Sequence, residues 1–271
     1  DQMSYRLFAL DIDGTIRTED NPLSQRTMQI ITQIRNLGAI VTVATGRMFR
    51  SAARACMELN LDCPIISFQG AQVSDPITGK ILWQRQLTRD MFISALKFLE
   101  SQTVEGLAYR NNQIYVTGVT SWVEKYVQRN CAQLKVVEDL KLIDAENFTR
   151  IVVVGKDKDI REIEVDMKTI FDSKLYVTRS LPQFCEILHP EGGKEKALAW
   201  LCAYFGIHQH ETVAFGNGYN DVGMLEWAEL GIAIEGSPPE VLSVADSIAP
   251  PVSEEGVACV LETLLGKGLV G

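Results

Sequence analysis

Several short runs in this chain stay apolar at successive positions instead of alternating, and most of them stop at a polar cluster. Ala39 to Ala44 (AIVTVA) is the clearest, and Tyr5 to Leu10, Pro64 to Phe68, Thr212 to Phe215 and Leu230 to Ile234 read the same way. Continuous runs of this kind predict parallel strands covered on both faces. Helical stripes stand between them. Ser24 to Leu37 predicts a helix capped by Ser24, with Ile30, Ile31, Ile34 and Leu37 on one face and Gly38 as its stop. Phe49, Ala52, Ala53, Cys56 and Met57 form a second stripe, and Ala197, Leu198, Leu201, Cys202 and Phe205 a third. Val257, Val260, Leu261 and Leu264 mark a last helix. Both ends of the chain thus predict one α/β layer system.

The middle has another grammar. Gly106 to Arg110 and Gln113 to Thr117 flank Asn111-Asn112, a tight-turn dipeptide that predicts a hairpin. Arg150 to Gly155, Lys174 to Arg179 and Phe184 to Leu188 are strand-like, with helical stripes at Phe92, Ala95, Leu96, Leu99 and at Ile160, Ile163, Met167, Ile170. The predicted fold class is α/β: a Rossmann-like parallel-sheet core from residues 1–84 and 187–271, with an α+β module, residues 85–186, inserted into it.

Composition excludes several classes. With 271 residues the chain buries about 73% of its unfolded surface by area scaling, so no disulfide or metal staple is required. Its 26 Lys and Arg against 35 Asp and Glu give a net charge of −9 and no basic stripe, which argues against a nucleic-acid partner. No apolar run approaches the roughly 18 residues of a membrane span. Cys56, Cys63, Cys131, Cys185, Cys202 and Cys259 form no C-x-x-C pair and read as reduced, small apolar residues. No signal peptide precedes the first strand-like run, so a cytoplasmic location is the expectation.

Polar clusters follow four strand-like runs: Asp11-Ile12-Asp13-Gly14-Thr15, Thr45-Gly46-Arg47, Gln69-Gly70-Ala71, and Gly216 to Asp221. Open parallel sheets bind ligands outside the carboxyl ends of their strands. Two carboxylates two residues apart repel unless a cation or a phosphate site holds them, and Gly14 lets the backbone turn its N–H groups toward an anion. The composition gives about 0.004 expected chance matches to Asp-x-Asp-Gly-Thr, so accident does not explain it. Taken singly, the other members are ordinary. Thr45 could end a strand, Lys194 could be a solvated first-turn lysine, and Asn220-Asp221 could cap a helix. Their order along the chain makes the set specific.

These motifs, with Ala44-Thr45-Gly46-Arg47, Lys194-Glu195-Lys196-Ala197-Leu198 and Gly216 to Met224, resemble the haloacid dehalogenase-like superfamily, most closely its Cof-type sugar-phosphatase branch. The resemblance spans the whole chain and implies a cap domain between the second and third motifs. It implies a phosphoric monoester hydrolase acting on small phosphate esters, sugar phosphates foremost. Asp11 is then the nucleophile and Asp13 the acid and base, while Thr45 and Lys194 bind the transferring group. Gly14, Thr15, Gly46, Arg47 and Asn220 are implied as substrate-binding. Mg²⁺ is implied as cofactor, on Asp11, the backbone carbonyl of Asp13, Asn217 and Asp221. Two positions depart from the family pattern: Asn217 stands where an Asp metal ligand is usual, and Gln69 where Asn is commoner. Two alternatives stand beside this reading: a phosphotransferase or phosphomutase relative, and a catalytically weak member that binds a phosphorylated ligand.

Overall fold

A computed structural model describes residues 4–130 and 132–271; the expectation for Cys131 lies outside them. Five strands form a parallel sheet in the order Ser247–Ala249, Leu230–Ile234, Thr212–Gly216, Leu7–Leu10, Ile40–Val43. Alternation along each strand sorts its side chains to two faces. Phe8, Leu10, Val213, Phe215, Ile232 and Ile234 pack with Ile30, Ile31 and Ile34 of the helix Gln25–Asn36. Leu7, Ala9, Ala214 and Ala233 pack with Ala197, Leu198 and Leu201 of the helix Lys194–Phe205, where their small size lets that helix lie close. Ser24 caps the first of these helices by accepting from the Thr27 N–H, as expected. Met57 and Ile170, expected on apolar faces, are exposed.

The third apolar run keeps the expected direction, parallel to the chain at Ala44, but departs from expectation in making most of its pairing elsewhere. Ile65–Ser67 pairs antiparallel with Gln72–Ser74, which pairs with Ile81–Gln84, while a parallel bridge from Ala44 to Ile66, the Thr45 N–H donating to the Ile66 carbonyl at 2.9 Å and Thr42 Oγ1 donating to the Pro64 carbonyl at 2.7 Å tie this small sheet to the large one. The reason is local. Phe68, Gln69 and Gly70 have φ of 50°, 58° and 85°, and three successive left-handed residues reverse the chain at once.

A six-stranded sheet occupies residues 105–188, in the order Tyr176–Leu181, Phe184–Leu188, Arg150–Val154, Glu105–Arg110, Gln113–Val116, Gln133–Val136. The Asn111-Asn112 hairpin is present, with Arg110 opposite Gln113 and Asn111 at φ 56°. One face holds the helices Arg89–Leu99 and Asp157–Phe171 through Phe92, Leu96, Ile160 and Met167. On the other face Leu107, Tyr109, Val152 and Phe184 cluster with Met48 and Phe68 of the N-terminal part. Among the described residues, no helix is long and apolar enough to cross a membrane.

Candidate active site

Parallel register brings the motifs to one edge. Leu10 lies opposite Phe215 on one side and Val43 on the other, so Asp11, Ala44-Thr45 and Gly216-Asn217 all leave the sheet together. The Asp11 N–H donates to the Phe215 carbonyl at 3.0 Å, and the Ala44 N–H to the Leu10 carbonyl at 2.9 Å. The Asp11 carboxylate is 6% exposed. Its Oδ1 accepts from Lys194 Nζ at 2.9 Å and its Oδ2 from Thr15 Oγ1 at 3.0 Å.

Lys194 opens its helix and is fully buried, which overturns the reading of a solvated lysine. Its Nζ also donates to Asp221 Oδ1 at 2.6 Å. Burial alone would lower the ammonium pKa, but Asp11 and Asp221 outweigh it and hold the group charged. Burial and Asp221 push the Asp11 carboxyl above the usual range, against the pull of Lys194. Two carboxyl groups share one ammonium in a dry setting, where field effects are strong.

Other expected residues sit differently. Asp221 does not turn toward Asp11: its Oδ2 accepts the Asn217 and Gly218 N–H groups, both at 2.9 Å, leaving Lys194 to its Oδ1. It therefore ties the lysine to the Gly216–Gly218 loop in this arrangement. The Gly14 N–H is not aimed at an anion either, because it donates to the Arg17 carbonyl at 2.8 Å. Gly14 stands at φ 81°, where a side chain is strained, and a Cβ there would also stand 2.2 Å from the Asn217 amide as placed. Thr15 is buried and braces Asp11. Thr45 is buried, with Oγ1 accepting from the Arg47 N–H at 3.1 Å. Asp13 is 61% exposed and clamped by Arg47 through bonds of 2.5 and 2.7 Å. Asn220 donates to Gln69 Oε1 at 2.8 Å.

Sequence reading missed the contributions of the six-stranded sheet. Arg150 Nη1 donates to the Gly46 carbonyl and to Glu186 Oε2, both at 2.7 Å, and Glu186 Oε1 accepts from Gln69 Nε2 at 2.9 Å. Tyr176 donates to Glu195, and the Arg179 guanidinium lies 3.9 Å from the Tyr219 ring centroid. A signal was available: Arg150 and Glu186 are charged residues inside otherwise apolar strands, RIVVV and FCEIL, where burial demands a partner.

A family model described as haloacid dehalogenase-like hydrolase matches residues 8–261. The chain belongs to this family. A 5-amino-6-(5-phospho-D-ribitylamino)uracil phosphatase of Bacillus subtilis is 27% identical, covering 93% of this chain and 94% of that protein. An HMP-PP phosphatase of an Enterobacter species is 24% identical, covering 88% of this chain and 87% of its own length. A solved sugar phosphatase of subclass IIB in this superfamily superposes with a TM-score of 0.80 at 20% identity, covering 98% of this chain and 100% of that one. That likeness speaks to the fold, an α/β architecture with a parallel central sheet. Family and relatives together bear out the expectation of a phosphoric monoester hydrolase.

The family implies Mg²⁺, and the oxygens present fit it. The Asn217 amide terminus lies 2.9 Å from Asp11 Oδ2, 3.0 Å from the Asp13 carbonyl and 2.9 Å from Thr15 Oγ1. With its oxygen facing them it meets only other oxygens, and the one Thr15 proton cannot serve both Asp11 and Asn217. A divalent cation among these oxygens would resolve that conflict. Turned over, the amide donates to the same three oxygens and satisfies them without an ion.

Proposed function

We propose that this protein is a Mg²⁺-dependent phosphatase of small phosphorylated metabolites, sugar phosphates foremost, working through an aspartyl-phosphate on Asp11. The observation that carries the reading is the buried Asp11–Lys194–Asp221 triad at the carboxyl edge of a parallel sheet. The Bacillus and Enterobacter relatives, both named as phosphatases of small phosphate-bearing molecules, support it. In this reading residues 85–186 cap a discontinuous core of residues 1–84 and 187–271 and select the leaving group.

The chain's own groups suit each step. An Asp11 oxygen attacks phosphorus in line, and the ester P–O bond breaks as the new bond forms. Lys194 sits against Asp11 and balances charge on the transferring group. Thr45 and the adjacent loop receive its oxygens. Asp13 gives a proton to the leaving oxygen, then takes one from the water that attacks the phosphorus, and the bond to Asp11 breaks to release inorganic phosphate. Arg47 holds Asp13 now, and a rotamer change frees both, the arginine toward phosphate and the acid toward the leaving group. Asp11 Oδ2, the Asp13 carbonyl and Asn217 would hold Mg²⁺, which supplies charge neutralisation when bound.

One observation favours a weaker member instead: the Asn217 amide can satisfy the metal-facing oxygens by itself. A panel of sugar and nucleotide phosphates, assayed for phosphate release with and without Mg²⁺, decides. Mg²⁺-dependent release supports the proposal. An isomerised ester without release indicates a mutase, and binding without turnover at saturating Mg²⁺ indicates the quiet member.

A further inference from the structure

A chain of bonds runs from the six-stranded sheet into the phosphate-binding loops. Gly46 O accepts from Arg150, Arg150 donates to Glu186, Glu186 accepts from Gln69, and Gln69 accepts from Asn220. The Gln69 N–H also donates to the Thr45 carbonyl at 3.1 Å, closing a ring through Gly46. Arg150 and Glu186 are almost wholly buried, and the guanidinium lies 4.4 Å from the Tyr109 ring centroid and 5.4 Å from that of Phe68. Arg150 Nε has no partner among the described residues.

Stability does not account for this arrangement. A buried ion pair is commonly no better than apolar side chains of the same volume, and here it leaves one N–H unsatisfied. The turn that delivers Gln69 adds a second cost, since Phe68 and Gln69 both adopt left-handed backbone, where a side chain is strained. Gly46 contributes a third feature: a Cβ there would stand 2.2 Å from Gln69 Nε2, so only glycine admits the amide. All three features serve placement of the loop around Thr45 and of Asn220.

We propose that Arg150, Glu186 and Gln69 are positioning residues for phosphoryl transfer, holding the Thr45–Arg47 loop and Asn220 in the geometry the transition state needs. The inference rests on the phosphatase reading above. Donors fixed in advance stabilise charge that develops in the transition state more than charge already present in bound ester. Loss of the relay therefore acts on turnover more than on substrate binding.

The test compares the wild-type chain with Glu186→Gln, using p-nitrophenyl phosphate for kinetics. Calorimetric titration with orthovanadate, a five-coordinate phosphoryl mimic, and with inorganic phosphate, both at saturating Mg²⁺, gives the second readout. The expected result is a fall in kcat of tenfold or more with KM within threefold, and orthovanadate affinity weakened tenfold or more while phosphate affinity stays within threefold. Equal losses of both affinities, or kcat and orthovanadate affinity both within twofold of wild type, overturn the proposal. Should Glu186→Gln not fold, Arg150→Met combined with Glu186→Leu leaves no buried charge and is judged by the same criteria. If the wild type releases no phosphate from any ester, the phosphatase reading fails. The two affinities then decide the relay alone: selective loss of orthovanadate supports it, and unchanged affinity overturns it.

Discussion

Asp11, the nucleophile of the proposed reaction, is held by a lysine on one oxygen and a threonine on the other. Asp11→Asn is expected to cut phosphate release by more than about a hundredfold, because an amide forms no acyl-phosphate. The fold should survive, since Lys194 keeps Asp221 and a buried charge is replaced by a neutral isostere. Activity within tenfold of wild type would remove Asp11 from the role. Asn217 makes a subtler prediction. In Asn217→Asp a carboxylate faces Asp11 Oδ2 and the Asp13 carbonyl at about the same distances, and it cannot turn over to donate. Without the ion those oxygens repel; with it, one more unit of attraction is present. Charges a few ångströms apart at an effective dielectric near 20 interact by several kcal/mol, most of it cancelled by desolvation and repulsion. A net gain of about 1 kcal/mol, somewhat under tenfold in the Mg²⁺ dissociation constant, is expected by calorimetry. EDTA should lower the thermal midpoint of Asn217→Asp more than that of wild type. Equal Mg²⁺ affinity would show that residue 217 does not face the ion.

The turn Ser67 to Ala71 shows what was and was not legible in the sequence. The apolar run before it was readable as a strand, and the polar cluster after it as part of the site. The antiparallel hairpin that follows was not, because the reversal depends on left-handed backbone at Phe68 and Gln69, residue types that do not advertise it. The strands with continuous burial were legible for the opposite reason: Leu7–Leu10 is covered on both faces, so every position is apolar. Gln133–Val136 was not, since it is a largely exposed edge strand whose composition reads as loop. In the site, the sequence pointed to Asp11, Thr45 and Lys194, which have special chemistry in a recognisable order. Arg150 and Glu186 act across two sheets and have no motif. Gly70 ties this turn to the helix bearing Lys194: a Cβ there would stand 2.1 Å from the Gly193 carbonyl oxygen, at φ 85°. Gly70→Ala is therefore expected to cost about 3 kcal/mol of stability, from left-handed strain plus overpacking against backbone that cannot yield. Urea unfolding at unchanged m measures it. A loss below about 1 kcal/mol would mean that the helix start moves freely, and the coupling of turn to lysine would be wrong.

At the scale of the molecule, the burial of the site is itself a constraint on motion. Asp11 is 6% exposed, Thr45 1% and Lys194 0%, so in the proposed reaction an opening would admit the ester to Asp11. The chain passes between the large parallel sheet and the six-stranded sheet through two segments, after Ile81–Gln84 and after Phe184–Leu188. The second contains Gly192 and Gly193, the latter at φ 115°. Glu186 lies two residues from the end of its strand, beside this crossing, and Arg150 sits on the neighbouring strand. A hinge here would move them little. Gln113–Val116 and Gln133–Val136 form the opposite edge of the sheet and would swing furthest, carrying the helix Ser121–Asn130 that packs on the face turned toward Met48 and Phe68. Opening would admit the ester, and closing would expel water and bring the sheet's side chains against the loops. The expected observation is hydrogen exchange slowed at least about tenfold in residues 113–136 and in the Thr45–Arg47 loop when Mg²⁺ and orthovanadate are added together, with little change in the strands Leu7–Leu10 and Thr212–Gly216, whose protection reflects global unfolding. Uniform slowing across the whole chain would indicate stabilisation by ligand without a moving part. Unchanged exchange at the far edge, together with the same placement of the six-stranded sheet in ligand-bound and ligand-free crystals and an open path to Asp11 in both, would show that the sheet does not gate the site.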